Sequence, residues 1–203
     1  MSSQEKTLRI FFTGVGGQGT LTATNLLAKT AMMCDLEVAA GEVHGMAQRG
    51  GVVESVLLLG GLRSPKLDHG EADLLLGFEP LETLRALPYL RKGGYVFSSS
   101  DELPPLSVSL GAATYPTLDT IKAKVKEVST KSCFLPCRSL GSQAGSIQSG
   151  NTVLLAAACL SGLLPFGLSE LKAAVKKFLA EKLQTSNLKA IDLAEDYLQK
   201  MAD

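Results

Sequence analysis

An apolar run, Leu8 to Thr13, stops at Gly14-Val15-Gly16-Gly17-Gln18-Gly19, and a helix-like run, Thr20 to Met33, follows at once. Strand, glycine turn and helix in that order open a βαβ unit. Glycines at such a turn permit positive φ and let another backbone or a ligand approach to contact distance. They also leave the first N–H groups of the helix pointing outward, an arrangement that favours an anion. The rest of the chain is therefore expected to build a sheet beside this strand, with function gathered at the carboxyl ends of the strands.

The downstream pattern agrees. Strands are expected over Glu37 to Val43, Val52 to Leu59, Ala72 to Phe78, Tyr95 to Ser99 and Ser132 to Cys137. Glu79-Pro80 opens a helix, with proline in the first turn and a carboxylate at the positive end of the dipole. Leu81, Leu84, Leu87 and Leu90 continue it at helical spacing, and Lys92-Gly93-Gly94 reads as its end. Asp101 to Ala113, with Pro104-Pro105, reads as a loop, and Thr117 to Ser129 as a helix. Leu140 to Gly150 is polar and loop-like. Asn151 to Leu164 is apolar nearly all round and so a buried helix. After Pro165-Phe166-Gly167, Ser169 caps a helix with a stripe of Leu171, Val175, Phe178, Leu179 and Leu183. A last helix carries Leu188, Ile191, Ala194, Leu198 and Met201. The fold class is α/β: a Rossmann-like, mostly parallel sheet flanked by helices, with a C-terminal helical segment. One domain is expected over residues 1–203, with residues 1–140 forming the sheet part and 141–203 the C-terminal helices.

Composition narrows the function. Lys and Arg total 20, as do Asp and Glu, so the formal charge is zero and the basic footprint of a nucleic-acid binder is missing. Hydrophobic residues reach 45%, enough for a sizeable core. The start of the chain is polar rather than signal-like, and Val153 to Leu164 falls short of the ~20 residues that span a bilayer. A cytoplasmic protein without membrane contact is the expectation. Cys34, Cys133, Cys137 and Cys159 are scattered, and the Cys133–Cys137 spacing suits neither zinc nor an iron–sulfur cluster, so all read as buried reduced thiols.

Two motifs remain. The glycine turn matches GxGxxG, which with an acidic residue ~20 positions on would bind a dinucleotide. Glu42 is the better candidate for that residue and Glu37 the poorer, but Glu42 runs directly into a glycine- and arginine-containing stretch. The alternatives are a purely structural turn and a turn met by a phosphate or a partner's cofactor. The second motif, Gly45-Met46-Ala47-Gln48-Arg49-Gly50-Gly51, follows His44 and has neither helical nor strand period, so Glu42 to Gly51 reads as a loop. It gathers a guanidinium, a carboxamide and an imidazole between glycines, and arginine offers a planar fork to carboxylate or phosphate. No nucleophile–base arrangement or phosphate-binding GxxxxGK[ST] accompanies them. A complete enzyme is not expected from this chain alone. Asn151 and Asn187 read as helix caps.

The two glycine motifs, with the helix around Asn187-Leu188-Lys189-Ala190, resemble the gamma-type module of the 2-oxoacid:ferredoxin oxidoreductases over essentially the whole chain. The Met-x-Gln-Arg form of the second loop resembles the small (beta) subunits of the indolepyruvate branch. Ala47 and Ile191-Asp192-Leu193-Ala194 depart from the usual pattern. The resemblance implies a large alpha subunit that carries thiamine diphosphate and 4Fe-4S clusters, in a heterodimer or a larger assembly. It also implies oxidative decarboxylation of an aryl 2-oxoacid with coenzyme A, giving the acyl-CoA, carbon dioxide and reduced ferredoxin, with the present chain lining the active site. On that reading His44, Gln48 and Arg49 support catalysis. Gly14, Gly16, Gly17, Gln18, Gly19, Arg49, Gly50 and Gly51 approach the cofactor or coenzyme A.

Overall fold

Among the described residues, six strands form one sheet: β1 (Leu8–Val15), β2 (Val38–His44), β3 (Val52–Leu59), β4 (Ala72–Gly77), β5 (Leu90–Ser99) and β6 (Ser129–Leu135). The structure, a computed structural model, describes residues 7–44, 51–62 and 64–202. Gln48, Arg49 and Gly50 lie outside the described residues, as does the side chain of His44. The strand order is β2-β3-β1-β4-β5-β6. β1, β4, β5 and β6 run parallel to their neighbours in that series, while β3 is antiparallel to both β1 and β2. β2 therefore points the same way as β1, and β3 alone is reversed.

The central strand shows why both faces must be covered. Ile10 and Phe12 are fully buried on one face, and Phe11 is 3% exposed on the other. Ile10 and Phe12 pack with α1 (Thr20–Met33) and the C-terminal helices. Phe11 packs with Val56, Leu58, Leu75 and Val96 beneath α2 (Pro80–Ala86) and, past the short α3 (Leu106–Ser109), α4 (Leu118–Val128). The first face is closed by α5 (Cys137–Ala144), α6 (Gly150–Leu160), α7 (Leu168–Phe178) and α8 (Glu181–Ala202). On α6, positions 152 to 159 are all buried, as an all-round apolar helix requires.

Several local expectations are overturned for identifiable reasons. The leucine repeat does not carry α2 to Leu90. The helix tightens into a 3-10 turn at Leu87–Tyr89, because Pro88 lacks an N–H and disfavours helical backbone before it, and Leu90 to Gly94 then belong to β5. Glu42 to His44 are strand rather than loop. Leu140 to Gly150 is not a loop: most of it forms α5 and a 3-10 turn, Ile147–Ser149. Ser169 is not a cap. Gly167 holds that position, its N–H donating to Glu170 at 2.8 Å. The apolar stripes are narrower than expected, since Leu21, Met32, Leu183 and Met201 are exposed.

Candidate functional site

The helices set the site's address. α1 leaves β1 toward one face and α2 leaves β4 toward the other, so the carboxyl ends of these neighbouring strands bound a crevice at a topological switch point. The glycine turn lines that crevice. The Gln18 N–H closes the turn onto the Val15 carbonyl at 3.0 Å. Gly17 and Gly19 have φ of 96° and 82°, the left-handed region that glycine occupies without strain. A Cβ on Gly14 would stand 2.9 Å from both Phe78 Cβ and Thr20 Oγ1, so this glycine permits close packing of strand on helix. A Cβ on Gly17 would meet nothing within 4 Å, so that side of the turn is open.

Gln18 is a brace. Its Oε1 accepts from the Val15 N–H at 2.7 Å, and its Nε2 donates to the Phe78 carbonyl at 3.1 Å, tying the ends of β1 and β4 together. The side-chain amide is thus spent on the scaffold. Asn151, in the first turn of α6, donates from Nδ2 to the Gln18 carbonyl at 2.7 Å. Asn187 lies inside α8 and accepts from the Thr152 hydroxyl. Neither asparagine caps a helix. Each makes a long-range contact instead.

The second motif is anchored at the same rim. β1 and β3 pair from Leu8↔Leu59 to Val15↔Val52, and the Gly16 N–H donates to the Gly51 carbonyl at 2.8 Å. His44, the last residue of β2, pairs with Val53. Both ends of the segment between residues 44 and 51 are thus at the carboxyl end of β1. The same register separates Glu42 from the turn. It pairs with Ser55 on the edge strand β2, with β3 between it and β1. Two strand spacings, roughly 9–10 Å, separate β2 from β1, where a dinucleotide fold has adjacent strands.

Three clefts border the turn, and two of them reach α6. One, of about 320 Å³, is lined by Gly17, Phe78, Asp101, Arg138, Gln148 and Asn151, among others. Asp101 Oδ2 accepts from Ser99 Oγ at 2.7 Å and from the Arg138 N–H at 2.8 Å, which fixes the start of α5 and places Arg138 at the cleft wall. Arg138 was not singled out from the sequence. Its only signal is a basic residue just past the end of a parallel strand. The other cleft, about 280 Å³, lies between the turn, α1, α6 and α8, with Leu26, Leu155 and Leu183 among its walls. The fully buried hydroxyl of Ser149, at its margin, has no hydrogen-bond partner.

The described residues offer little reactive chemistry. Cys137 lines the first cleft, but burial pushes its thiol well up, and burial pushes Cys159 up to about 12. Both stay neutral and weakly nucleophilic. Cys34 and Cys133 are half-buried rather than buried, and burial raises them as well. Among the described residues no three His, Cys, Asp or Glu side chains converge as a metal site, so these residues do not fit an iron–sulfur cluster. Nor is any described helix long and apolar enough to cross a membrane.

Residues 9–197 match the family model for pyruvate ferredoxin/flavodoxin oxidoreductase. The chain belongs to the pyruvate ferredoxin/flavodoxin oxidoreductase family. Within it, the chain is 38% identical over 198 residues to indolepyruvate oxidoreductase subunit IorB of Pyrococcus horikoshii, covering 97% of this chain and 98% of that one. Identity to the Archaeoglobus fulgidus subunit of the same name is 35%, over 92% of each chain. The fold matches the gamma subunit of a keto/oxoacid ferredoxin oxidoreductase from Geobacter sulfurreducens, with TM-score 0.67, 20% identity, and coverage of 95% of this chain and 99% of that one. It also matches a 2-oxoglutarate:ferredoxin oxidoreductase from Magnetococcus marinus with TM-score 0.69 and 18% identity; there the match covers 96% of this chain but only 31% of the other. Family membership makes this chain an oxidoreductase subunit and implies a larger partner subunit.

Proposed function

We propose that this chain is the small subunit of an indolepyruvate:ferredoxin oxidoreductase and forms one wall of an active site completed by the large subunit. The overall reaction converts an aryl 2-oxoacid and coenzyme A to the aryl-acetyl-CoA and carbon dioxide, with a pair of electrons passing to ferredoxin. Thiamine diphosphate on the partner supplies the decarboxylation, and 4Fe-4S clusters there carry the electrons. What falls to this chain is binding and orientation. The relatives named for indolepyruvate at 34–38% identity support the substrate class.

The observation that carries the reading is the Gly16–Gly51 hydrogen bond, which staples the glycine turn to the foot of the Gln48-Arg49 motif. The backbone N–H groups of the turn, which is open at Gly17, suit the pyrophosphate of coenzyme A. Arg49 pairs with an anionic group, either the substrate carboxylate or a phosphate, and His44 and Gln48 donate hydrogen bonds beside it. Gly50 and Gly51 allow the close approach. Gly14, Gly16 and Gln18 shape the turn.

The test is Arg49→Ala in the complex reconstituted with the large subunit. A charge-assisted hydrogen bond is worth about 1.5–3 kcal/mol, so KM for one of the two anionic substrates rises roughly 10- to 100-fold. Unchanged kinetics for both the 2-oxoacid and coenzyme A would remove Arg49 from the site.

A further inference from the structure

We propose that Asn151 is a positioning residue for the reaction: it orients the glycine turn so that the turn can receive the anionic part of coenzyme A. The proposal rests on the reading of the turn given above. Asn151 lies in the first turn of α6, yet its side chain caps nothing and reaches across 133 positions of sequence to the Gln18 carbonyl. Gln18 stands between the two positive-φ glycines, where a peptide plane turns over at little energetic expense.

Every other freedom of Gln18 is already taken. Its side chain is held at both ends, by Val15 and by Phe78, and its own N–H is bonded to the Val15 carbonyl. What remains is the orientation of the Gln18–Gly19 peptide. In a trans peptide the carbonyl and the following N–H point to opposite sides. By drawing the Gln18 carbonyl toward α6, Asn151 directs the Gly19 N–H away from α6, the side on which a third cleft, about 330 Å³, is lined by Val15, Gly17, Gly19, Leu21 and Val53. The contact is close: a Cβ on Gly19 would lie 2.4 Å from Asn151 Nδ2, so Asn151 in this position leaves room only for glycine at 19. The adjacent Thr152 is bonded to Asn187 and ties α6 to α8, a contact separate from the one Asn151 makes.

The experiment uses the complex with the large subunit and compares Asn151→Ala, Asn151→Asp, Asn187→Ala and Arg49→Ala. Asparagine and aspartate have the same shape, but an ionised carboxylate cannot donate. Both Asn151 variants are expected to raise KM for coenzyme A about 5- to 20-fold, with kcat and KM for the 2-oxoacid within twofold of the parent. Asn187→Ala is expected to lower the melting temperature without moving KM for coenzyme A. If the Asn151 variants behave like Asn187→Ala, the residue is structural and the proposal is overturned. A fall in kcat alone, or equal losses for both substrates, overturns it too. Should Asn151 and Arg49 variants alike leave both KM values unchanged, the reading of the turn as a ligand site fails along with it; a shift with Arg49→Ala alone confines the failure to Asn151. Should Asn151→Ala not assemble, Asn151→Asp and direct titration with coenzyme A decide the matter.

Discussion

Replacing Gly19 with alanine separates backbone strain from crowding. At φ 82° any side chain enters the left-handed region, which costs roughly 1–2 kcal/mol. Gly17→Ala, at φ 96° with nothing within 4 Å of the new Cβ, bears only that strain. Gly19→Ala bears more, because its Cβ would stand 2.4 Å from Asn151 Nδ2. The amide must move, and the 2.7 Å bond to the Gln18 carbonyl, about 1 kcal/mol net, is lost with some repacking. The expected destabilisation is about 2–4 kcal/mol for Gly19→Ala against about 1–2 for Gly17→Ala. In an Asn151→Ala background the crowding vanishes, so Gly19→Ala falls back to the strain alone and the pair couples by about 1–2 kcal/mol. The chain has no tryptophan, so urea unfolding followed by circular dichroism is the suitable assay. Equal effects at the two glycines, or strict additivity with Asn151→Ala, would refute the claim that Asn151 occupies the space a side chain at 19 needs.

Glu79 invites a second test. This buried carboxylate caps α2 by accepting from the Glu82 N–H at 2.9 Å, and its other oxygen accepts from the Leu103 N–H at 3.2 Å and from the Tyr115 hydroxyl. Losing a cap and its charged hydrogen bonds is expected to destabilise Glu79→Ala by about 3–5 kcal/mol; Tyr115→Phe should then add little, and an additive double mutant in denaturant melts would contradict the shared acceptor. A third prediction concerns pH. Burial holds Glu54 and Glu82 above the usual carboxylate range; at Glu82 the Arg85 guanidinium pulls the other way and Glu79 pushes further up. A carboxyl with a higher pKa folded than unfolded binds its proton more tightly in the fold. Its contribution is therefore greatest below the unfolded value near 4.5 and is lost as pH rises through the folded value. Glu82→Gln should flatten the decline in stability between mildly acid and neutral pH, and a wild-type-minus-variant difference independent of pH would rule this out.

The sequence signals that proved reliable were those carried by periodicity and punctuation. α1 and β3 lie at the residues that pattern indicated, because each is bounded by glycine and filled with residues buried on the sheet. The failures were tertiary. α5 is poor in apolar residues and looked like a loop. It is helical because it packs at a Gly141 where a Cβ would fall 2.6 Å from the Gly150 nitrogen and 2.8 Å from the Ile147 carbonyl. The roles of Asn151 and Gln18 were equally out of reach. A donor that finds its acceptor 133 residues away has no local signature, and a capping asparagine looks the same in sequence as a bracing one.

The reversed strand explains why the residues at either end of the second motif, His44 and Gly51, stand at the same rim as the glycine turn. Had β3 run parallel to β2, the connection would have crossed back over the sheet to the amino ends of the strands, as parallel neighbours require. Instead β2 ends and β3 begins at the same carboxyl rim. β3 then lies against β1 through its whole length, so its first residues, Val52 and Val53, stand beside Val15 and Gly14. The antiparallel insertion has a consequence on each side of the crevice. It moves Glu42 one strand too far out to serve a nucleotide bound at the turn, and it delivers Gly51 to within a hydrogen bond of Gly16. A dinucleotide fold needs the first of these positions filled by an adjacent strand, whereas a wall contributed to a partner's active site needs only the second.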